Sequence, residues 1–458
     1  MQLRYSFRLY PNGPQRAALA RAFGCARVVF NDALRIRKDA HGAGMPYPKI
    51  GDLSKQVITE AKKTPERAWL GEVSAVVLQQ SLRDVDTAYS NFFASLRGTR
   101  AGPKIGEPQF KSRRDNRQSV RFTANARWSI TPGGDLRLPK IGDVRVKWSR
   151  PLPSAPSTVT VIKDSAGRCF ASFVVETDSE ALPEVTPEVG IDLGLGHFAV
   201  LSDGTKIDSP RFLRRAEKHL KRAQQALSRK EKGSKNRDKA RLRVASVHAR
   251  VADARREFHH QLSTKLIREN QAIAVEDLAV KAIARTRLAK SVHDAGWAQF
   301  VAMLEYKAEK FGRTFHRIDR FEPTSQVCSA CSVKDGPKPL RLRVWTCEVC
   351  GVVLDRDINA AVNIGRAAGL AVTACRAQVS RALMPAQRGE AGTHRDGQLI
   401  VVGIPGIGPG SGSQELTWRP AIAGRSTSGH AEAGGGAGSA SPPEHRLAVR
   451  NQHPEKRS

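Results

Sequence analysis

Cys328-Ser-Ala-Cys331, Cys347-Glu-Val-Cys350 and Leu354-Asp-Arg-Asp-Ile-Asn-Ala-Ala-Val-Asn-Ile364 follow one another in a single stretch of this chain. Fifteen residues separate the two Cys-x-x-Cys pairs, the spacing of a closed four-thiolate zinc site with Cys328, Cys331, Cys347 and Cys350 as ligands. The segment after the second pair opens a helix of small residues and carries two carboxylates, Asp355 and Asp357, in its first turn. A closed thiolate site has no open position for chemistry, so the zinc is structural and the carboxylates are the candidates for reaction.

Composition points to a polyanionic partner. The chain has 458 residues with 75 Lys and Arg against 44 Asp and Glu, a net charge of +31. That excess is too one-sided for an ordinary enzyme of small metabolites and favours nucleic acid. The length allows two to four domains. No apolar run is long enough to span a membrane, and Met1–Tyr10 alternates polar and apolar residues rather than forming a signal peptide, so a cytoplasmic, nucleoid-associated protein is expected. The remaining cysteines, Cys25, Cys169 and Cys375, have no spacing partner and read as incidental.

Leu3, Tyr5, Phe7 and Leu9 alternate as a strand, ended by Pro11. Helical spacing then runs from Pro14 to about Arg37, through Leu53, Val57 and Ile58, and from Val73 to Leu96. The stretch from Gly98 to Gln118 is rich in glycine, proline and bases and suits a phosphate clamp or a solvated loop. Short alternating strands at 120–123, 128–131, 144–148, 159–163 and 169–176, with turns between them, suggest a small β-barrel that includes the first strand.

Beyond a linker at 178–188, Val189-Gly-Ile-Asp-Leu193 begins a strand–turn–strand meander with Asp192 at the end of its first strand. Two basic helices follow, with apolar residues at near-heptad spacing, and form an antiparallel hairpin. Ala272-Ile-Ala-Val-Glu276 is another short strand ending in a carboxylate. Taken singly, Asp192 reads equally as a turn aspartate and Glu276 as a strand-end partner of an arginine. Together with Asp357 they supply oxygen ligands from three separate elements, the arrangement that two Mg2+ ions need to stabilise the attacking and leaving oxygens of a phosphodiester. Asp355 stands two residues from Asp357 and is the alternative ligand.

Gly190-Ile-Asp-Leu-Gly194, Val275-Glu-Asp-Leu278, Pro323-Thr-Ser-Gln-x-Cys-x-x-Cys331, Cys347-x-x-Cys350 and Asp355-Arg-Asp-x-Asn-Ala-Ala361, in this order, resemble the TnpB (OrfB) family of insertion-sequence proteins, relatives of the type V CRISPR effectors. The resemblance covers residues 1 to about 370. It implies an α+β multidomain fold: a RuvC/RNase H-like nuclease domain (189–320 and 355–370) with an inserted zinc ribbon (321–354), and a wedge β-barrel (1–10 and 118–177) with a helical recognition insert (11–117). It also implies an RNA-guided DNA endonuclease with Asp192, Glu276 and Asp357 as the Mg2+-binding catalytic set. The partners would be a guide RNA from the same element and double-stranded target DNA, with a monomer expected. Bases expected at the nucleic acid are Lys111, Arg113, Arg114 and Arg117 in the loop, and Arg214, Arg215, Lys218, Lys221 and Arg222 on the first basic helix. Two positions depart from the family pattern. Ser332 follows Cys331 where glycine is common, and Val353-Leu354 precede Asp355 where histidine is common. A transposase with strand transfer and a noncatalytic nucleic-acid-binding regulator remain as alternatives. The Gly-, Ala-, Ser- and Pro-rich segment 371–458 reads as a disordered tail.

Overall fold

The structure, a computed structural model, describes residues 1–371 apart from 116, 335 and 340. The expected tail, with Cys375, lies outside the described residues save for Ala371.

Strand β1 (Gln2–Tyr10) passes directly into helix α1 (Gly13–Gly42). Asn12 caps that helix through a reciprocal pair with Gln15, and Pro14 fits its first turn, where no backbone N–H is needed. Helix α2 (Ile50–Ser54) and α3 (Ala75–Leu96) complete a helical layer, with Phe23, Phe30, Leu34, Leu78 and Leu82 buried between them and the strands.

Strands β2 (Gln118–Thr123), β3 (Ser129–Ile130), β4 (Leu136–Leu138), β5 (Gly142–Lys147), β6 (Thr158–Lys163) and β7 (Cys169–Glu176) join β1 in a seven-stranded sheet ordered β2-β6-β7-β1-β5-β4-β3. Every pairing in it is antiparallel. The first strand is therefore the central one. Among the described residues no ladder joins the end strands β2 and β3, so the pairing is that of an open sheet and barrel closure is not seen. Strand β4, three residues long, had no recognisable signal of its own.

The second half centres on a five-stranded sheet made of β8 (Glu188–Asp192), β9 (His197–Leu201), β10 (Lys206–Asp208), β11 (Ala272–Glu276) and β12 (Thr314–Ile318), ordered β10-β9-β8-β11-β12. The meander β8–β9–β10 is antiparallel, whereas β11 runs parallel to both β8 and β12. Between β10 and β11 stand the basic helices α4 (Phe212–Ser228) and α5 (Lys235–Glu269). The guanidinium of Arg237 closes their loop by donating to the carbonyls of Leu227 and Lys230. Helices α6 (Val280–Ile283), α7 (Ala289–Ala295) and α8 (Trp297–Phe311) lead to β12.

Strand alternation gives this sheet two different faces. Val189, Ile191, Ile273 and Val275 point to one side and pack with Leu266, Ile267, Phe300 and Leu304 of α5 and α8. Ala272 and Ala274 point to the other, where strands β13 (Val344–Thr346) and β14 (Val353–Asp355) and helix α9 (Arg356–Ala367) cover them. Gly190 lies on this second face because α9 comes too close for a side chain. A Cβ there would stand 2.1 Å from the Ala361 carbonyl oxygen and 2.6 Å from the Gly365 nitrogen. No described helix is long and apolar enough to cross a membrane.

Candidate active site and metal centre

Parity and register bring the carboxylates together. Asp192 shares the α9 face with Gly190, two residues earlier on β8, and Glu276 shares it with Ala272 and Ala274 on β11. The parallel ladder pairs Ala274 with Gly190 and Val275 with Ile191, so its next step sets Glu276 beside Asp192 at the strand ends. Helix α9 runs antiparallel to β8, with Ala371 near its end donating to the Glu188 carboxylate at the start of that strand. From the Gly190–Ala361 contact, one helical turn back along α9 covers ~6 Å and two residues forward along β8 cover ~6.6 Å. Both paths end at the site, one at Asp357 and the other at Asp192.

The electrostatics record this convergence. Burial pushes the Asp192 carboxyl up to about 7, and the like charges of Asp357 and Glu276 push the same way, against the attraction of Arg356 and Arg343. Burial also raises Glu276, with Asp277 adding to it. No described side chain donates a hydrogen bond to either Asp192 or Glu276. Clustered, partly buried carboxylates without donors are costly unless a proton or a cation neutralises them. Among the described residues only the four cysteines already stand close enough together to share one ion; the three carboxylates offer the oxygen donors that a hard divalent cation prefers.

Asp355 and Asp357 have different tasks. Asp355 caps α9, its Oδ1 accepting from the backbone nitrogens of Asp357 (3.0 Å) and Ile358 (3.1 Å), while its Oδ2 accepts from Lys206 Nζ at 2.6 Å. Both oxygens are thus occupied within the protein. Asp357 projects from the first turn of the helix, and one guanidinium nitrogen of Arg343 reaches its two oxygens at 3.1 and 3.2 Å. Arg343 and Lys206 were not singled out in the sequence, since neither lies in a recognisable motif.

The four cysteines converge as their spacing required. Their sulfurs all lie within 4.8 Å of one another, with Cys328–Cys350 and Cys331–Cys347 each 3.7 Å apart. A tetrahedron with ~2.3 Å metal–sulfur arms has edges of about 3.8 Å. The geometry fits zinc. Ser332, in the place where glycine is common, adopts φ +62°, the same left-handed turn that Gly351 makes at φ +69° after the second pair.

Of the expected nucleic-acid contacts, Lys111 leans against the protein while its side chain stays 40% exposed. Its ammonium lies 3.8 Å from the Phe30 ring centroid and 3.9 Å from Asp84, its backbone is held by Asn31, and burial lowers its pKa. Arg113, Arg114 and Arg117 are exposed beside it. On α4, which buries no residue, Arg214 donates to Ser291 and Arg215 to the Pro210 carbonyl. Lys218, Lys221 and Arg222 are exposed with no ion pair among the described residues.

Known proteins share most of this chain's length. A "Putative RNA-guided DNA endonuclease" of Streptomyces pristinaespiralis is 42% identical over 407 residues, covering 88% of this chain and 98% of that protein. The chain belongs to the TnpB/OrfB family. The OrfB_IS605 model, described as "Probable transposase", matches residues 172–287, and a Cas12f1-like TNB domain matches residues 297–364. A protein of Escherichia coli (strain K12) with the same description as the Streptomyces one, InsQ, is 32% identical over 81% of this TnpB-family chain and 93% of its own length. A "Helix-turn-helix domain" model matches residues 1–45, yet here those residues form β1 and one uninterrupted 30-residue helix. Among solved structures, a Cas12f1–sgRNA–target DNA complex aligns over 76% of this chain and 81% of that chain, at 15% identity and a TM-score of 0.44.

Proposed function

We propose that this chain is an RNA-guided DNA endonuclease that hydrolyses phosphodiesters at Asp192, Glu276 and Asp357. The observation that carries the proposal is the convergence of these carboxylates on one face of the five-stranded sheet, two of them without a hydrogen-bond donor, in a chain whose relatives bear that name. A noncatalytic binder of a polyanion gains nothing from three clustered negative charges. The sheet order and the position of the carboxylates suit a RuvC-like, RNase H-type domain. We read the seven-stranded sheet with α1–α3 as the wedge and recognition module, and 321–354 as the zinc ribbon.

Divalent cations such as Mg2+, when bound, supply Lewis acidity at the scissile phosphate and stabilise the leaving oxygen. The chain provides the rest. Asp192 and Glu276, side by side at the ends of β8 and β11, and Asp357, on the first turn of α9, hold the cations. Asp355 and Lys206 fix that turn without taking part in the chemistry. Asp192, pushed up to about 7 by burial and its neighbouring carboxylates, is only partly ionised near neutral pH. Cys328, Cys331, Cys347 and Cys350 hold structural zinc.

Arg113, Arg114, Arg117, Arg214, Arg215, Lys218, Lys221 and Arg222 meet phosphates of an RNA–DNA duplex, and sequence is read by base pairing with the guide. The experiment is to purify the protein, sequence the RNA that accompanies it, and offer it DNA matching the guide segment. Metal-dependent cutting of that DNA alone is expected. Recovery of joined DNA ends would favour strand transfer, and binding without cleavage would favour a regulator.

A further inference from the structure

Helix α9 is gripped on two opposite sides. One side, Ala361 and Gly365, lies on Gly190 of β8. The other carries a polar stripe at one- and two-turn spacing: Asn359, Asn363 and Arg366, the first fully buried and the second nearly so. This stripe holds the backbone that enters the first cysteine knuckle. Asn359 Nδ2 donates to the carbonyl oxygens of Val327 (2.8 Å) and Thr324 (3.4 Å), and its Oδ1 accepts from the Ser329 nitrogen at 2.8 Å. Asn363 Nδ2 donates to the same two carbonyls at 2.7 and 2.8 Å. Arg366 donates to the Ser329 carbonyl. Val327 and Ser329 are the immediate neighbours of Cys328.

A helix that only needed to cover a sheet would present apolar side chains to the ribbon. Two buried amides with matched partners instead fix both the rotation of α9 and its position along its own axis, because hydrogen bonds are directional where apolar contacts are not. Asp357 stands two residues before Asn359, so a change in helix rotation or axial position moves its carboxylate relative to Asp192 and Glu276.

We propose that Asn359 and Asn363 are positioning residues for the carboxylate cation site. They tie the Cys328 knuckle to α9, so the folded knuckle sets where Asp357 stands, and the ribbon serves as a brace for the nuclease site. This rests on the carboxylate reading above and adds to it a role for residues that touch neither ion nor substrate.

The test measures cation affinity directly, by titrating Mn2+ into the full-length protein with its co-purified RNA and following free Mn2+ by electron paramagnetic resonance, with zinc content measured on the same samples. Asn359→Ala is expected to keep its zinc and to weaken Mn2+ binding by about 10- to 100-fold, the usual effect of removing a group that orients a ligand. Asn363→Ala is expected to show a smaller loss in the same direction, since Asn359 still serves both carbonyls, and it decides the matter if Asn359→Ala does not fold. Wild-type Mn2+ affinity in the folded variants would overturn the proposal. So would a loss of Mn2+ binding that only follows loss of zinc and is restored by adding zinc, for then the amides merely retain the knuckle. Asp357→Ala separates this claim from the one beneath it: wild-type Mn2+ affinity in that variant would remove the carboxylate site itself.

Discussion

Ser332 shows how a single residue can satisfy a turn that its chemistry disfavours. Its φ of +62° is in the left-handed region, which costs a non-glycine residue roughly 1–2 kcal/mol. The four sulfurs converge nonetheless, so the departure from the family pattern costs stability and leaves the ligand geometry intact. Ser332→Gly is expected to stabilise the zinc-loaded ribbon by about 1 kcal/mol, measured as resistance to zinc extraction by a chelator.

Asp192 gives a second prediction at this scale. Its carboxyl titrates at about 7 in the folded chain and at about 3.9 when unfolded. Between those values the native state holds a proton that the unfolded state has lost, so the cation-free protein loses stability as pH rises from about 4 to about 7. Melting curves of Asp192→Asn across that window should show a smaller decline, with the raised Glu276 still contributing. An identical decline in both proteins would mean that Asp192 is not the group responsible.

Helix α9 places its carboxylates in two different roles, and substitution separates them. Asparagine caps a helix as well as aspartate does. Asp355→Asn keeps the cap but turns an amide N–H toward Lys206, so it is expected to lower cleavage only partly, whereas Asp357→Asn is expected to lose it. The packing beneath the helix is equally specific. Gly190→Ala would drive a methyl group into the Ala361 carbonyl and should cost about 3 kcal/mol, the upper end of the overpacking range, seen as a lowered melting temperature. Helix α4 carries a prediction about binding: replacing Lys218, Lys221 and Arg222 together by alanine should weaken nucleic-acid binding equally for all sequences. If all three meet phosphate, the slope of log affinity against log salt should fall by about 2 to 3.

Across the whole molecule, the features legible in the sequence were those written in local spacing. The two cysteine pairs, the short apolar strands ending at Asp192 and Glu276, and the small-residue helix after Asp357 each announce an element. Contacts between distant segments were not legible. Arg343 lies between the cysteine pairs and reaches Asp357 only because the ribbon folds back, and Lys206 meets Asp355 across 149 positions. Lys111 sits in a basic loop, and only the fold shows that its ammonium leans over Phe30 and toward Asp84. The Asn359–Asn363 spacing was visible, but its partners at Thr324 and Val327 were not. The proposed site itself was anticipated, from three carboxylates at the ends of β8 and β11 and the start of α9. Cleavage of guide-matched DNA by the RNA-bound protein, with Asp192→Ala, Glu276→Ala and Asp357→Ala compared in Mg2+, tests it most directly. Wild-type protein should cut while each variant binds the DNA without cutting it, and undiminished cleavage by any of the three would contradict the assignment.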